Sequence, residues 1–338
     1  MAKKKKQNSF ALTAVDLFCG AGGLSQGLHD AEIMPLLAID NDVSAGVTYR
    51  SNFSEVELFD GDVRAVTFSD FKGKVDIVAG GPPCQPFSVA GNQKAHNDIR
   101  DMVPQFVRAV REIQPVAFLM ENVAGLATSR HVSYLNKTVH MLEAEGYYVT
   151  YKVVDAADFG VAQHRRRLFI IGTRKPGFEF PEAAYGPKVN KKYVTAKKVL
   201  ENAPKDEPNK AIVTYAKKPI LRPSPWAGML VNGGGRPINL SRPSQTIPAS
   251  AGGNRTHILD PDSVLVDYHK YLLDGGKPKS GLVDGVRRLT VRESARIQAF
   301  PDSFIFKGNK SCQYRQVGNA VPPVLAAAVA RQLAKFIA

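Results

Sequence analysis

Cys84 stands in the string GGPPCQPFS (80–88), directly after two prolines at the end of an apolar run. Each proline locks its own φ, so the backbone delivers this thiol in a defined direction. No Cys or His neighbours it at metal-ligand spacing, so a nucleophile is expected here and a metal is not. Cys19 and Cys312 have no such setting and read as small apolar residues. A second apolar run ends in Glu121-Asn122-Val123, which supplies a carboxylic acid and an amide. A third is preceded by Gln163-His164-Arg165-Arg166-Arg167. Strand alternation sends Arg165 and Arg167 to one face and Arg166 to the other. Two guanidiniums on the thiol's side would stabilise a thiolate and orient a carboxylate or phosphate. Taken alone, the arginine triplet suits a basic edge strand equally well.

Three carboxylates lie at the ends of successive apolar runs. Asp16 opens DLFCGAGGLS (16–25), a glycine turn of the kind that lets backbone approach a ligand closely. The dinucleotide pattern GxGxxG would need small residues at Gly20, Gly22 and Ser25 and fits only loosely. Basic residues for phosphates are missing, so the acidic turn suits a cationic or neutral ligand. Asp40 is placed to bind the two hydroxyls of a ribose, and Asp62 to accept from an exocyclic amine such as an adenine's. Singly, such residues more often serve as turn or helix-cap groups. Three at successive strand ends point to a nucleoside site, because ligands bind there in open α/β sheets.

To converge, these residues need a sheet. Apolar runs at 11–17, 36–39, 56–59, 75–79, 116–120, 147–154 and 168–171 read as buried strands. Val103, Phe106, Val107, Val110 and Ile113 recur at helical spacing between two of them. This alternation predicts an α/β fold with a doubly wound, mostly parallel sheet. Residues 175–285 change texture: Pro, Gly, Lys and Asn abound, and 232–237 and 251–254 mark loops. They are expected to form a second, smaller, irregular domain. Helical pattern returns at 287–300. Pro322-Pro323 then precede a last helix whose Val324, Leu325, Val329, Leu333 and Ile337 should face a core. The expected division is a basic tail (1–10), a first domain (11–174), a second (175–285) and a C-terminal segment (286–338) returning to the first.

With 338 residues and 44% hydrophobic content, the chain reads as a soluble globular protein. No run approaches the roughly 18 apolar residues of a membrane span. Three cysteines are too few for a disulfide scaffold, and the lysines at the N-terminus precede no uninterrupted apolar stretch, so a reducing cytoplasm is expected. The net charge is +14. Lys3, Lys4, Lys5 and Lys6 carry four of these charges, and residues 174–222, with 12 basic and 5 acidic side chains, carry seven. Such clustering suits a polyanion, whose counterions basic side chains release, although a solvated surface would look the same.

Together these strings resemble the cytosine-5 DNA methyltransferase family. DLFCGAGGLS, GGPPCQPFS, ENV (121–123), QHRRR (163–167), RRLTVRESARIQAFPD (287–302) and QVGNAVPP (316–323) occur in the family's order over some 300 residues. The resemblance implies an S-adenosylmethionine site built from Asp16, Phe18, Gly20, Gly22, Gly23, Asp40, Asp62, Pro82 and Asn319. It implies a target-recognition domain between QHRRR and RRLT, where surplus charge was found. Arg242-Pro243-Ser244-Gln245-Thr246-Ile247 looks like that domain's short Thr-Ile/Leu element. Asp40 departs from the family, which usually has Glu, so the ribose would have to sit closer to this shorter carboxylate.

The implied chemistry is methylation of cytosine at ring position 5 in double-stranded DNA, with S-adenosylhomocysteine as product. Cys84 would add at position 6 and make position 5 nucleophilic. Glu121 would meet ring N3 and the exocyclic amine. Arg165 would orient the base carbonyl or the Cys84 region, and Arg167 would hold Glu121 or a phosphate. Gln85, Ser88, Asn122, Gln163 and Thr246 are the expected substrate contacts, and residues 85–101 the loop that closes over a flipped-out base. A stand-alone bacterial monomer is expected, acting at the nucleoid in the cytoplasm, with a cognate restriction endonuclease as separate partner. The alternatives are a tRNA cytosine-5 methyltransferase on the same scaffold, disfavoured by the sizeable recognition domain, and a catalytically silent nucleic-acid-binding module.

Overall fold

The computed structural model describes residues 11–83 and 101–338. Cys84, Gln85, Ser88 and the tail 1–10 lie outside the described residues, as does all of the expected closing loop except Asp101.

The strands are β1 (Leu12–Leu17), β2 (Ile33–Asp40), β3 (Glu57–Asp60), β4 (Ile77–Gly80), β5 (Ala117–Val123), β6 (Tyr148–Asp155) and β7 (Arg166–Thr173). They form one sheet in the order β3-β2-β1-β4-β5-β7-β6. Neighbours from β3 through β5 pair in parallel, whereas β7 is antiparallel to both β5 and β6. The fold is therefore the α/β architecture with a mostly parallel sheet that the periodicity predicted, with β7 alone reversed. That reversal puts the start of β7 beside the end of β5.

Helices α1 (Gly23–Asp30), α2 (Val43–Asn52), α3 (Val103–Ile113) and α4 (Val132–Glu143) follow β1, β2, β4 and β5. Central strands are buried on both faces, as parallel strands covered by helices must be. Alternation then divides the core in two. Val15, Leu17, Val78, Phe118 and Met120 pack against α3 and α4 residues such as Phe106, Val110 and Leu135. Ala14, Ile77, Ala79, Leu119 and Phe169 face the other way, toward Leu24 and Leu28 of α1. All five apolar positions expected for α3 are buried.

Residues after β7 form α5 (Ala196–Leu200), the antiparallel pair β8 (Tyr215–Ile220) and β9 (Met229–Val231), β10 (Ile258–Leu259) and α6 (Val264–Leu273). Val213, Leu230, Ile258, Leu265, Tyr268 and Val283 make a core of their own. Ala196, Ile238, Ile247 and Ala251 instead join Tyr49, Phe53 and Phe300 in a core shared with the main sheet's side. β10 pairs with β11 (Arg287–Arg288), so the ladder crosses residue 285.

The chain ends in α7 (Val291–Ile297), α8 (Lys310–Asn319) and α9 (Pro323–Ile337). Thr290 and Glu293 form a capping box at the start of α7. Leu325, Val329 and Leu333 are buried against α1 and the sheet, but Val324 is 38% exposed, contrary to the sequence expectation. Val324 and Leu325 point about 100° apart on the helix, and Val324 falls on the solvent side of the buried face that Leu325, Val329 and Leu333 share. By length and composition the stretch from Lys310 to Ile337 is apolar enough to cross a membrane, although it holds no single unbroken apolar run of that length. Ala320 to Pro322 break it, and Leu325, Val329, Ala330 and Leu333 lie in the core.

Candidate active site

At the end of β1 the chain turns sharply. Phe18 takes φ +60°, and Gly20 and Gly22 take +54° and +96°. A left-handed residue that is not glycine is strained, and such strain collects at ligand sites. Asp40, at the end of β2, braces this turn: its Oδ2 accepts from Gly20 N at 2.8 Å and its Oδ1 from Asp42 N at 2.8 Å. Burial raises its pKa above the ordinary value despite these bonds. A Cβ built on Gly20 would meet no atom within 4 Å, so open space lies beside the turn. One built on Gly23 would sit 2.5 Å from Val321 O and 2.9 Å from Ala320 Cβ. The absent side chain thus lets the segment after exposed Asn319 close on the turn.

Asp16 and Asp62 are placed differently from each other. Asp16 lies fully buried beneath the turn, where Ser25 Oγ donates to its Oδ2 at 2.5 Å, Tyr49 Oη lies 2.8 Å from Ser25 Oγ, and its Oδ1 has no partner. Desolvation pushes its pKa up to about 7. It faces the protein interior, so it supports the turn rather than lining it. Asp62 is at the surface, caps the short helix Val63–Ala65 and pairs with Arg64, which holds its carboxyl down at about 2. Pro82, at the exit of β4, is buried, and its carbonyl accepts from Asn122 Nδ2 at 3.0 Å. Asn122 Oδ1 also accepts from Val123 N at 2.8 Å.

Glu121, two residues before the end of β5, lies opposite Phe169 of β7. Its parity matches that of Leu119, and the parity of Arg165 and Arg167 matches that of Phe169, so all three share the α1 side of the sheet. Arg167 Nε meets Glu121 Oε1 at 2.8 Å, and both side chains are largely buried. Desolvation raises the Glu121 pKa, opposed by the charges of Arg167 and Arg165. A carboxyl so placed can donate a proton to, or share one with, a heterocyclic ring brought against it. Arg165 is only 1% exposed and gives its Nη atoms to three carbonyls, Ile247 at 3.0 Å, Gly318 at 2.7 Å and Ala320 at 3.0 Å. Its Nε has no partner. Arg166 is exposed.

Gln163 is fully buried, so it does not present its amide to a substrate. Its Nε2 donates to Gln298 Oε1 at 2.9 Å and its Oε1 accepts from Ile247 N at 2.9 Å. Thr246 is exposed, with Oγ1 donating to His164 O at 2.7 Å. The sequence reading missed Asp155, at the end of β6, whose Oδ1 accepts from Arg165 N at 3.0 Å and whose Oδ2 lies 2.9 Å from His164 Nδ1. The available signal was its position, an acidic residue closing a strand like Asp16 and Asp40. Among the described residues, this edge of the sheet gathers Glu121, Arg165, Arg167, Asn122 and Pro82, with the glycine turn two strands away from β5.

The family model for the C-5 cytosine-specific DNA methylase matches residues 12–335. The chain is 37% identical to the Type II methyltransferase M1.HphI of Haemophilus parahaemolyticus over 96% of its own length and 87% of the relative's. It is 32% identical to M.NgoPII of Neisseria gonorrhoeae, covering 96% and 95%. A mutant Spodoptera frugiperda DNMT2 superposes with a TM-score of 0.70 at 19% identity over 97% of this chain and 99% of that one, a likeness of fold. The chain belongs to the C-5 cytosine-specific DNA methylase family and is a DNA cytosine-5 methyltransferase.

Proposed function

We propose that the protein methylates a cytosine swung out of duplex DNA, with S-adenosylmethionine as methyl donor and Cys84 as covalent nucleophile. In this reading it is the modification half of a restriction-modification pair, a cytoplasmic bacterial monomer whose cognate endonuclease acts separately, in keeping with the Type II methyltransferases it is similar to. Residues 175–285 choose the target sequence, and 286–338 complete the catalytic domain.

The observation that carries the chemistry is the path of the chain into Cys84. A Cβ built on Gly81 would stand 3.2 Å from Glu121 Oε2, and the Pro82 carbonyl is tied to Asn122. Gly81 and Pro82, three and two residues before Cys84 in the sequence, therefore lie beside Glu121 and Asn122. Cys84 adds to ring carbon 6, the ring electrons move toward N3, and Glu121 supplies the proton or hydrogen bond that N3 needs. Carbon 5 is then nucleophilic. It would take the electrophilic methyl that S-adenosylmethionine supplies, after which the carbon-5 proton passes to water, the N3 proton returns to Glu121, and expulsion of the thiolate restores the ring. Arg167 fixes the Glu121 carboxyl, and Arg165 fixes the segments that frame the pocket. Gln85, Ser88 and Asn122 bind the base, and Thr246 contacts the DNA strand.

The open space beside Gly20 fits a nucleoside without phosphates, since the turn carries carboxylates and no basic side chain. Phe18, Gly20, Gly22, Gly23, Asp40, Asp62, Pro82 and Asn319 would hold S-adenosylmethionine, with Asp16 supporting from below. When bound, that group supplies an electrophilic methyl.

Duplex DNA carrying 5-fluorocytosine at the target position tests the route, because fluorine cannot leave as a cation and the adduct cannot resolve. A complex surviving denaturation and mapping to Cys84 is expected, absent in Cys84→Ala, which still binds the cofactor. Turnover conditions that yield no adduct would exclude the covalent step. Labelled methyl transfer to tRNA but not to duplex DNA would favour the RNA alternative.

A further inference from the structure

Thr246 and Ile247 are gripped from four directions. Thr246 Oγ1 donates to His164 O at 2.7 Å, Ile247 N donates to Gln163 Oε1 at 2.9 Å, and Ile247 O accepts from Arg165 Nη1 at 3.0 Å. These three bonds come from consecutive residues just before β7. The fourth comes from the recognition region itself, where His257 Nε2 lies 3.2 Å from Thr246 O.

His257 is buried, and its Nδ1 has no hydrogen-bond partner. A carbonyl oxygen can only accept, so Nε2 carries the ring proton and Nδ1 is a bare acceptor. An unsatisfied buried acceptor costs about 1–3 kcal/mol, which an apolar side chain of the same size would avoid. The imidazole is therefore present for what Nε2 does. Burial and the neighbouring Arg236 charge hold its pKa below the ordinary value, which keeps the ring neutral and the bond directional. The backbone of His257 is anchored independently, its carbonyl accepting from Leu289 N at 3.0 Å.

We propose that His257 is a positioning residue for DNA, acting through Thr246. Its Nε2–H fixes the Thr246 carbonyl and so aims the exposed Thr246 side at the strand while Gln163 and Arg165 hold the same dipeptide in register with Glu121 and Arg167. The inference rests on the reading of Thr246 as a DNA contact.

Four single variants and one double test it through kcat, the KM values for duplex DNA and for S-adenosylmethionine, and thermal unfolding. His257→Gln carries an amide nitrogen near the Nε2 position, whereas the shorter His257→Asn reaches only the Nδ1 position. His257→Ala and His257→Asn should raise KM for DNA about tenfold, the scale of one lost hydrogen bond. KM for the cofactor should stay unchanged, and His257→Gln should remain within about twofold of the parent. Adding His257→Ala to Thr246→Ala should make the latter little worse, because both act on one contact. A Gln variant as impaired as Asn, or KM for DNA unmoved in all three His257 variants, overturns the proposal. If Thr246→Ala alone leaves KM for DNA unchanged, the Thr246 reading fails, and any His257 effect on DNA then refutes its route through Thr246. Should His257→Ala not fold, the Gln–Asn pair carries the comparison.

Discussion

Two buried carboxyls at the same edge of the sheet show how surroundings assign different jobs to one functional group. Glu121 is desolvated but faces two guanidiniums, so burial raises its pKa while their charges hold it back. Asp16 is desolvated with a single hydroxyl donor and no cation, and its pKa rises from 3.8 to about 7. The folded state therefore keeps a proton on Asp16 that the unfolded chain has lost, and this group's contribution to stability falls as pH rises from 3.8 to about 7, then levels off. Asp16→Asn keeps an acceptor for Ser25 and cannot ionise. Its melting temperature should match the parent's near pH 4 and exceed it near pH 8; equal differences at both ends would show that Asp16 does not ionise differently in the fold.

At the scale of elements, the site is made by contacts between strand ends and distant helices. The glycine turn and the segment joining α8 to α9 meet where Gly23 lacks a side chain. Gly23→Ala pushes a methyl to 2.5 Å from Val321 O, and backbone cannot swing aside as a long side chain could. Overpacking of this kind costs about 1–3 kcal/mol, so a lowered denaturation midpoint is expected, with weaker cofactor binding as the Asn319 segment shifts. An unchanged midpoint would mean that α9 can slide on α1. The carboxyl edge of β5 and the start of β7 meet for a different reason, the antiparallel pairing of those two strands.

For the whole molecule, the uneven charge has a physical reading. Lys188, Lys191, Lys192, Lys197, Lys198, Lys205, Lys210, Lys217 and Lys218 are all exposed, on the region assigned to target recognition. If six to ten of the protein's basic groups meet phosphates, DNA affinity should fall about 10³- to 10⁵-fold between 50 and 200 mM salt. Titration by fluorescence anisotropy reads the slope directly. A slope near zero would return that charge to solubility.

The strands, the helix after β4 and the strings around Cys84, Glu121 and Arg165 were all legible from residue types, because period-two and helical apolar patterns and proline or glycine signals act over a few residues. The irregular region after β7 was legible only as composition, since its β8–β9 and β10–β11 pairs join runs too short to carry a period. Tertiary structure alone decided that β7 runs backward, which brings Arg167 to Glu121. It alone decided that Gln163 and Asp16 turn inward, that Asp155 takes the Arg165 backbone and that His257 meets the Thr246 carbonyl. Direction of pairing and the inward or outward turn of a polar side chain depend on which segments the fold brings together, from Ser25 on Asp16 to Gln298 on Gln163, and no local pattern encodes them.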